Sequence, residues 1–197
     1  MALIYNGSQV NSLIYNGNET TGVWNGEVVW SPIPPGPPII EEVTIGTQTW
    51  KTVNLAIDDG GSGIAKIDNV TANGVNFGTQ YYYSNAAANR IANTITGWRL
   101  PTTSDWQTLI SYLGSDMNVK GIKSTSGWSN GNGTNALGFN SLPVGYYDGN
   151  YGDLRDVGVL SIYRTNTYDT VFKIDFSHIY KSDPTAARYS VRLIKDN

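Results

Sequence analysis

Gly97-Trp98-Arg99-Leu100-Pro101-Thr102-Thr103-Ser104-Asp105-Trp106 spells strand, turn and helix in immediate succession. Pro101 cannot donate to a ladder and holds Leu100 in an extended conformation. Thr102 is placed to cap a helix, with Asp105 three residues on completing a capping box near the positive helix end. Trp106, Leu109, Ile110 and Leu113 then follow at i, i+3, i+4 and i+7, a single apolar stripe. Gly114 supplies the stop. An amphipathic helix packed on a sheet is the direct implication.

Outward from that helix, the chain reads as α+β with short elements. Its 197 residues suffice for one full core plus a small appendage. Charged residues make up only 15%, while Gly, Asn, Thr, Ser and Tyr are abundant, a mixture that favours short strands and loops over long helices. The net charge of -3 offers no basic stripe for nucleic acid. No apolar run reaches membrane-spanning length. Cysteine is absent, which excludes disulfides, thiol nucleophiles and thiolate metal sites. The first residues, Met1-Ala2-Leu3-Ile4-Tyr5, lack the basic and apolar regions of a signal peptide, so none is expected in this chain.

Residues 1–30 repeat. Leu3-Ile4-Tyr5-Asn6-Gly7 recurs as Leu13-Ile14-Tyr15-Asn16-Gly17, and Val23-Trp24-Asn25-Gly26 is a looser third copy. Asn-Gly between apolar and β-branched residues signals a tight hairpin, since both residues accept the turn's positive φ. Two or three small hairpins are expected, each too small to stand alone, so this segment reads as an oligomer or particle contact. Ser31-Pro32-Ile33-Pro34-Pro35-Gly36-Pro37-Pro38 then reads as a stiff linker over 31–40, leaving 41–197 as the main domain.

Within the main domain, Val43–Ile45 and Thr49–Val53 around Gly46 predict a hairpin, Tyr81–Tyr83 a strand end, and Ser84 the cap of a short helix running to Ile91. Strands are expected over Val157–Tyr163, Thr170–Phe176 and Tyr189–Leu193. Asp58-Asp59 in its glycine loop reads as a turn rather than a calcium loop, with no further acid at a fixed spacing. No metal and no cofactor is expected. His178 is the sole histidine; a strand would put it and Ser177 on opposite faces, away from a Ser–His–Asp arrangement with Asp175. The chain is not expected to be an enzyme.

Several ordered motifs together carry a resemblance. They are Val43-Thr44-Ile45-Gly46-Thr47-Gln48-Thr49-Trp50, Asn54-Leu55, the Gly97–Trp106 stretch and Ser124-Thr125-Ser126-Gly127-Trp128. Asn132-Gly133-Thr134-Asn135, Gly138-Phe139, Leu142-Pro143-Val144-Gly145 and Ser190-Val191-Arg192-Leu193-Ile194-Lys195-Asp196 complete the set. Over 41–197 the chain resembles the Fibrobacter succinogenes major paralogous domain. That resemblance implies a C-type-lectin-like fold with two short helices and several antiparallel strands. It also implies kinship with variable proteins of diversity-generating retroelements and with phage receptor-binding proteins. The Arg-Leu-Pro-Thr helix start is similar to that of formylglycine-generating enzymes too, but their chemistry needs cysteines that this chain lacks. The usual lectin calcium triplets, Glu-Pro-Asn or Gln-Pro-Asp, are missing. Where such domains usually read Tyr-Trp-Ser-Ser-Thr, this chain has Ser161-Ile162-Tyr163-Arg164-Thr165.

The segment from Tyr146 to Asp169 is crowded with Tyr, Asn, Asp, Ser and Arg, the residue types of evolved binding surfaces. The expected ligand surface comprises Tyr147, Asn150, Tyr151, Asp153, Arg155, Ser161, Tyr163, Arg164, Asn166 and Tyr168. Adenine mutagenesis of Asn codons cannot yield Lys, Glu, Gln, Met or Trp, and none of these occurs from 129 to 172. The expectation is a non-enzymatic receptor- or ligand-binding protein of phage or prophage type, with a retroelement-diversified surface. It would act on a virion or cell surface as a homo-oligomer, trimers included, taking a protein or glycan receptor. The alternatives are a bacterial surface or secreted lectin-like module and a structural virion component.

Overall fold

The computed structural model describes residues 41–114, 118–175, 177–183 and 186–195, and within 1–40 the backbone of six short strands. The chain divides into two compact units, Met1–Ile39 and Ile40–Asn197. In the first, β1 (Ile4–Tyr5) pairs antiparallel with β2 (Ser8–Gln9), β3 (Ile14–Tyr15) with β4 (Asn18–Glu19), and β5 (Gly22–Trp24) with β6 (Glu27–Trp30). The innermost pairs are Tyr5 with Ser8, Tyr15 with Asn18 and Trp24 with Glu27, so the Asn-Gly of each repeat falls between paired residues. Those Asn-Gly residues and the proline-rich stretch lie outside the described residues.

The second unit opens with the hairpin of β7 (Glu42–Ile45) and β8 (Gln48–Lys51), turning at Gly46 with φ 61°. Next, β9 (Ile64–Ile67) pairs with β12 (Gln80–Tyr83), and the small ribbon of β10 (Thr71–Ala72) and β11 (Val75–Asn76) lies between them in sequence. Ser84 caps α1 (Asn85–Ala92), its hydroxyl accepting from the Ala87 N–H at 3.2 Å. β13 (Trp98–Arg99) leads into α2 (Thr103–Leu113). Here Thr102 and Asp105 form the reciprocal capping box, and Gly114 ends the helix at φ 81°. Of the apolar stripe, Trp106 and Leu109 are buried and Ile110 and Leu113 pack half-buried against the same core.

Beyond a single 3-10 turn at Val119–Gly121, the chain forms the ribbon of β14 (Tyr146–Asp148) and β15 (Asp153–Arg155). A three-stranded antiparallel sheet of β16 (Ser161–Arg164), β17 (Val171–Ile174) and β18 (Ile179–Ser182) follows, and β19 (Ile194–Lys195) ends the fold. The expected strands shift accordingly. Residues 157–159 are a turn, β17 stops at Ile174, and Phe176 lies outside the described residues. The expected strand over Tyr189–Leu193 is not a regular strand. Its backbone bridges several partners in turn, Tyr189 to Tyr83 and Ser190 to Tyr163, before Val191 and Leu193 accept from Leu55 and Lys51. Ile194 then sits between Trp50 and Arg99, giving a sheet in the order β13-β19-β8-β7.

The largest core is aromatic. Trp106 stacks on Tyr163 at 5.4 Å and Phe172 at 5.3 Å between ring centres, and lies 5.0 Å from Trp50. Arg192 runs into this core with no exposed surface. Its guanidinium donates to the carbonyls of Lys51 (3.0 Å), Phe139 and Asn140 (3.3 Å), to the Asn54 Oδ1 (2.8 Å) and to the Tyr163 hydroxyl (3.4 Å). It also lies over the rings of Phe139 and Tyr163. Guanidinium tolerates this burial because it is weakly hydrated and has five donors in a fixed fork. Desolvation pulls its pKa down from the usual arginine value. Replacing it strands several buried acceptors, so Arg192→Met is expected to lose roughly 3 kcal/mol or more in urea unfolding. A loss under about 1 kcal/mol would contradict this account.

Lys123 is likewise buried, its Nζ donating to the Gly131 carbonyl at 2.9 Å and lying 4.1 Å from the Trp128 ring centre. Burial pushes its ammonium down from 10.5 to about 8, against an opposing pull from Asp175. Between those values the unfolded chain holds the proton and the folded chain releases it, so stability rises with pH across that window. Tyr82 and Tyr83, raised by burial above the ordinary 10.0, act in the opposite sense above pH 10. The urea midpoint of the wild type should therefore climb between pH 8 and about 9.5, and Lys123→Met should flatten the climb. A wild-type midpoint that falls across this range would refute the assignment.

Candidate ligand-binding surface

Two stretches on either side of β16 present the two most exposed tyrosines among the described residues. In the first, β14 and β15 pair Tyr146 with Arg155, Tyr147 with Leu154 and Asp148 with Asp153. The tip over 149–152 is fixed by its own backbone: Gly152 N–H donates to the Asp148 carbonyl at 2.8 Å, and Asn150 N–H to the Asp148 carboxylate at 2.9 Å. Asp148 and Asp153 are directly opposed, a like-charge pairing that Arg155 offsets by binding Asp153 at 2.9 Å. The same guanidinium lies 4.9 Å from the centre of the Tyr151 ring, and Tyr151 is 74% exposed.

The ribbon is held at its base. Tyr147 and Arg188 exchange two backbone hydrogen bonds of 3.0 and 2.9 Å, and the Arg188 guanidinium lies over the Tyr147 ring. Tyr147 and Leu154 pack against a small core around Val144 and Tyr82. Gly145, at φ 62°, passes so close to the opposite strand that a Cβ would meet the Arg155 carbonyl oxygen at 1.9 Å.

The second stretch, 165–169, joins β16 to β17. Thr165 is buried, and its hydroxyl donates to the Thr170 carbonyl at 2.9 Å and accepts from the Thr167 N–H at 3.3 Å. Asn85 of α1 donates to the Thr167 carbonyl at 2.9 Å, and Asn89, one turn on, reaches the Asn166 carbonyl at 3.4 Å. The Asn166 N–H donates to the Pro101 carbonyl at 3.0 Å, so the proline of the helix-start motif also anchors this loop. Tyr168 projects from it, 71% exposed. Hydrogen bonds from the Thr167 and Thr170 side chains hold the Asp169 carboxyl below its usual value.

Of the ten residues expected to form one ligand surface, Asn150, Tyr151, Asp153, Asn166 and Tyr168 are exposed and Tyr147 and Arg155 half-buried. Ser161, Tyr163 and Arg164 are buried and are corrected to structural roles. Ser161 Oγ donates to the Leu142 carbonyl, and the Tyr163 hydroxyl shares a hydrogen bond with Ser141 Oγ at 3.0 Å. Arg164 donates to the carbonyls of Tyr83 (3.1 Å) and Ala187 (2.7 Å) under the Tyr189 ring. The four residues of β16 are buried on both faces, so no alternate side chain is left for a ligand. Sequence reasoning also missed the anchors Asn85, Asn89, Thr165 and Arg188. Only the i, i+4 spacing of the two asparagines on one helix face pointed to a shared role.

Other constellations carry less. Ser177 and His178 sit in the turn after β17 and not on opposite faces of a strand: Ser177 Oγ lies 2.7 Å from His178 Nδ1. Asp175 accepts from both backbone N–H groups and approaches that same ring nitrogen at 3.7 Å. A proton relay needs hydroxyl and carboxylate on different nitrogens, so this arrangement is a turn motif. Asp59 forms a two-point ion pair with Arg90, at 2.7 and 2.9 Å, which together with the Gly61 N–H pulls its carboxyl down to about 2. Among the described residues no group of three potential ligands could hold a metal ion. None of their helices is long and apolar enough to cross a membrane. Two grooves of about 330 and 300 Å³ flank residues 53–56, lined mainly by aliphatic and amide side chains.

Gly145→Ala tests how the ribbon is set. The added methyl overlaps a backbone atom at positive φ, so a loss of about 2 kcal/mol or more is expected, with faster amide exchange in β14 and β15. An unchanged urea midpoint would contradict the close approach.

No curated protein and no solved structure matches this chain. The model of the Fibrobacter succinogenes major domain matches residues 43–195, which takes in every element from β7 to β19 except the first residue of β7. The chain therefore belongs to the Fibrobacter succinogenes major domain family.

Proposed function

We propose that residues 41–197 form a non-enzymatic binding domain of C-type-lectin-like fold, which meets its receptor through the tips at 149–152 and 166–169. One observation carries this reading. Tyr151 and Tyr168 are the most exposed large hydrophobic side chains among the described residues, and each stands on a loop pinned by hydrogen bonds to rigid elements. A large, stiff aromatic on a pre-set loop binds with little ordering entropy left to lose. The lectin-like assignment draws support from the first and last strands of the domain meeting in one sheet, and from the loop-rich stretch between α2 and β16. In this reading the N-terminal hairpin repeats provide oligomer or particle contact, because a two-stranded ribbon is marginal by itself. The receptor is a protein or glycan on a cell surface, and display is on a virion or a cell. Retroelement diversification, if it acts on this gene, is confined to the two tips, since packing fixes β16 between them.

Labelled full-length chain applied to a panel of bacterial cells tests the proposal. Tyr151→Ala and Tyr168→Ala should each weaken binding roughly tenfold or more, with unchanged thermal unfolding. Tyr112→Ala serves as control, because that side chain is 54% exposed on α2, outside both tips. Equal binding by wild type and the Tyr151/Tyr168 double variant would overturn the reading.

A further inference from the structure

Several charges around the two tips are satisfied internally. Arg155 is held by Asp153, Arg90 by Asp59, and Asp169 accepts from the Thr170 hydroxyl at 3.2 Å. What the 165–169 loop leaves free is different in kind. The Tyr168 ring has no ring or cation contact with a described residue, in contrast to Tyr151 beneath Arg155. Asn166 has both its backbone N–H and its carbonyl engaged, and its side-chain amide has no hydrogen bond to a described residue. An uncovered aromatic face therefore stands two residues from an uncommitted amide, on a backbone fixed by Asn85, Asn89, Thr165 and Pro101.

Taking the binding reading above as its premise, we infer that the 165–169 loop is a subsite for an uncharged, hydroxyl-rich ligand, a neutral saccharide. An anionic ligand would meet the exposed Asp169 carboxylate at the loop's own end, and Arg164 is buried with its Nε and Nη2 donating to the Tyr83 and Ala187 carbonyls. A protein partner would need a central apolar patch around its aromatic anchor, whereas Tyr168 is flanked by Asn166, Thr167 and Asp169. A pyranose ring matches both free groups. Its C–H face lies on the tyrosine ring, and its hydroxyls exchange hydrogen bonds with the Asn166 amide, which both donates and accepts. Asn85 and Asn89 touch no ligand in this arrangement and act as positioning residues, by holding the loop in its bound form.

The test uses full-length chain on an array of neutral and acidic oligosaccharides, then calorimetry with the best neutral binder in EDTA at low and high salt. The expected result is a neutral ligand whose affinity changes less than about twofold with salt, since no ion pair is screened. Tyr168→Ala should weaken it roughly tenfold or more, Tyr168→Phe should restore it to within about threefold, and Asn85→Ala should weaken it with the binding enthalpy per contact retained. Three results would overturn the inference: undiminished saccharide affinity in Tyr168→Ala, binding only to acidic oligosaccharides with strong salt dependence, or no saccharide binding in a chain that still binds cells. In all three the binding reading itself survives. Loss of both cell and saccharide binding in the wild type removes the two together.

Discussion

A buried guanidinium with no carboxylate of the described residues beside it is the constraint on which this domain depends. Arg192 gathers carbonyls and side chains from β8 and the nearby Asn54, from the 139–140 segment and from β16, three separate parts of the chain. The charge is balanced by oriented carbonyl dipoles and by two aromatic faces instead of a single counterion. Such a balance works only if all the partners arrive at their places together. The aromatic cluster of Trp50, Trp106, Phe139, Tyr163 and Phe172 supplies the packing, and Arg192 fixes how those pieces are registered against one another.

The parts of the fold that were legible in the sequence are those decided within a few residues. The α2 helix announces both ends, with its capping box at Thr102 and Asp105 and its left-handed Gly114, and the β7–β8 hairpin is set by its turn at Gly46. Ser84 marked α1 for the same reason. The ribbon of β14 and β15 and the strand β18 were not recognised, since their residues alternate too weakly between apolar and polar. Ser161, Tyr163 and Arg164 were misplaced for a different reason. Their composition suits a surface, and what buries them is a set of acceptors at Leu142, Ser141, Tyr83 and Ala187 that no local pattern reveals. Ser177 and His178 illustrate the converse: a turn in place of a strand brought together two side chains that alternation had separated.

Scaffold and surface are connected through the motif that first identified the fold. Pro101 interrupts the ladder after β13, and its free carbonyl is what receives the Asn166 N–H. The helix-start signature therefore caps α2 on one side and sets the outer loop on the other. The asparagines of α1 hold the same loop from a second direction. The loop that carries Tyr168 is thus fixed by groups from two separated segments while that side chain stays exposed, which is how a residue at such a position can change without loss of the fold.

The course of the C-terminal stretch bears on how the domain is made. Residues 188–195 bridge β14, β12, β16, β8 and β13 in turn, and the contact between Arg192 and Lys51 spans 141 positions of sequence. A nascent chain emerging from the ribosome can form the β7–β8 hairpin and the two helices early, yet their common seam is the last part of the domain to be made. Contacts of such separation close slowly, and until they do the aromatic cluster lacks its lid. A domain without residues 188–195 would lack the segment that unites these strands.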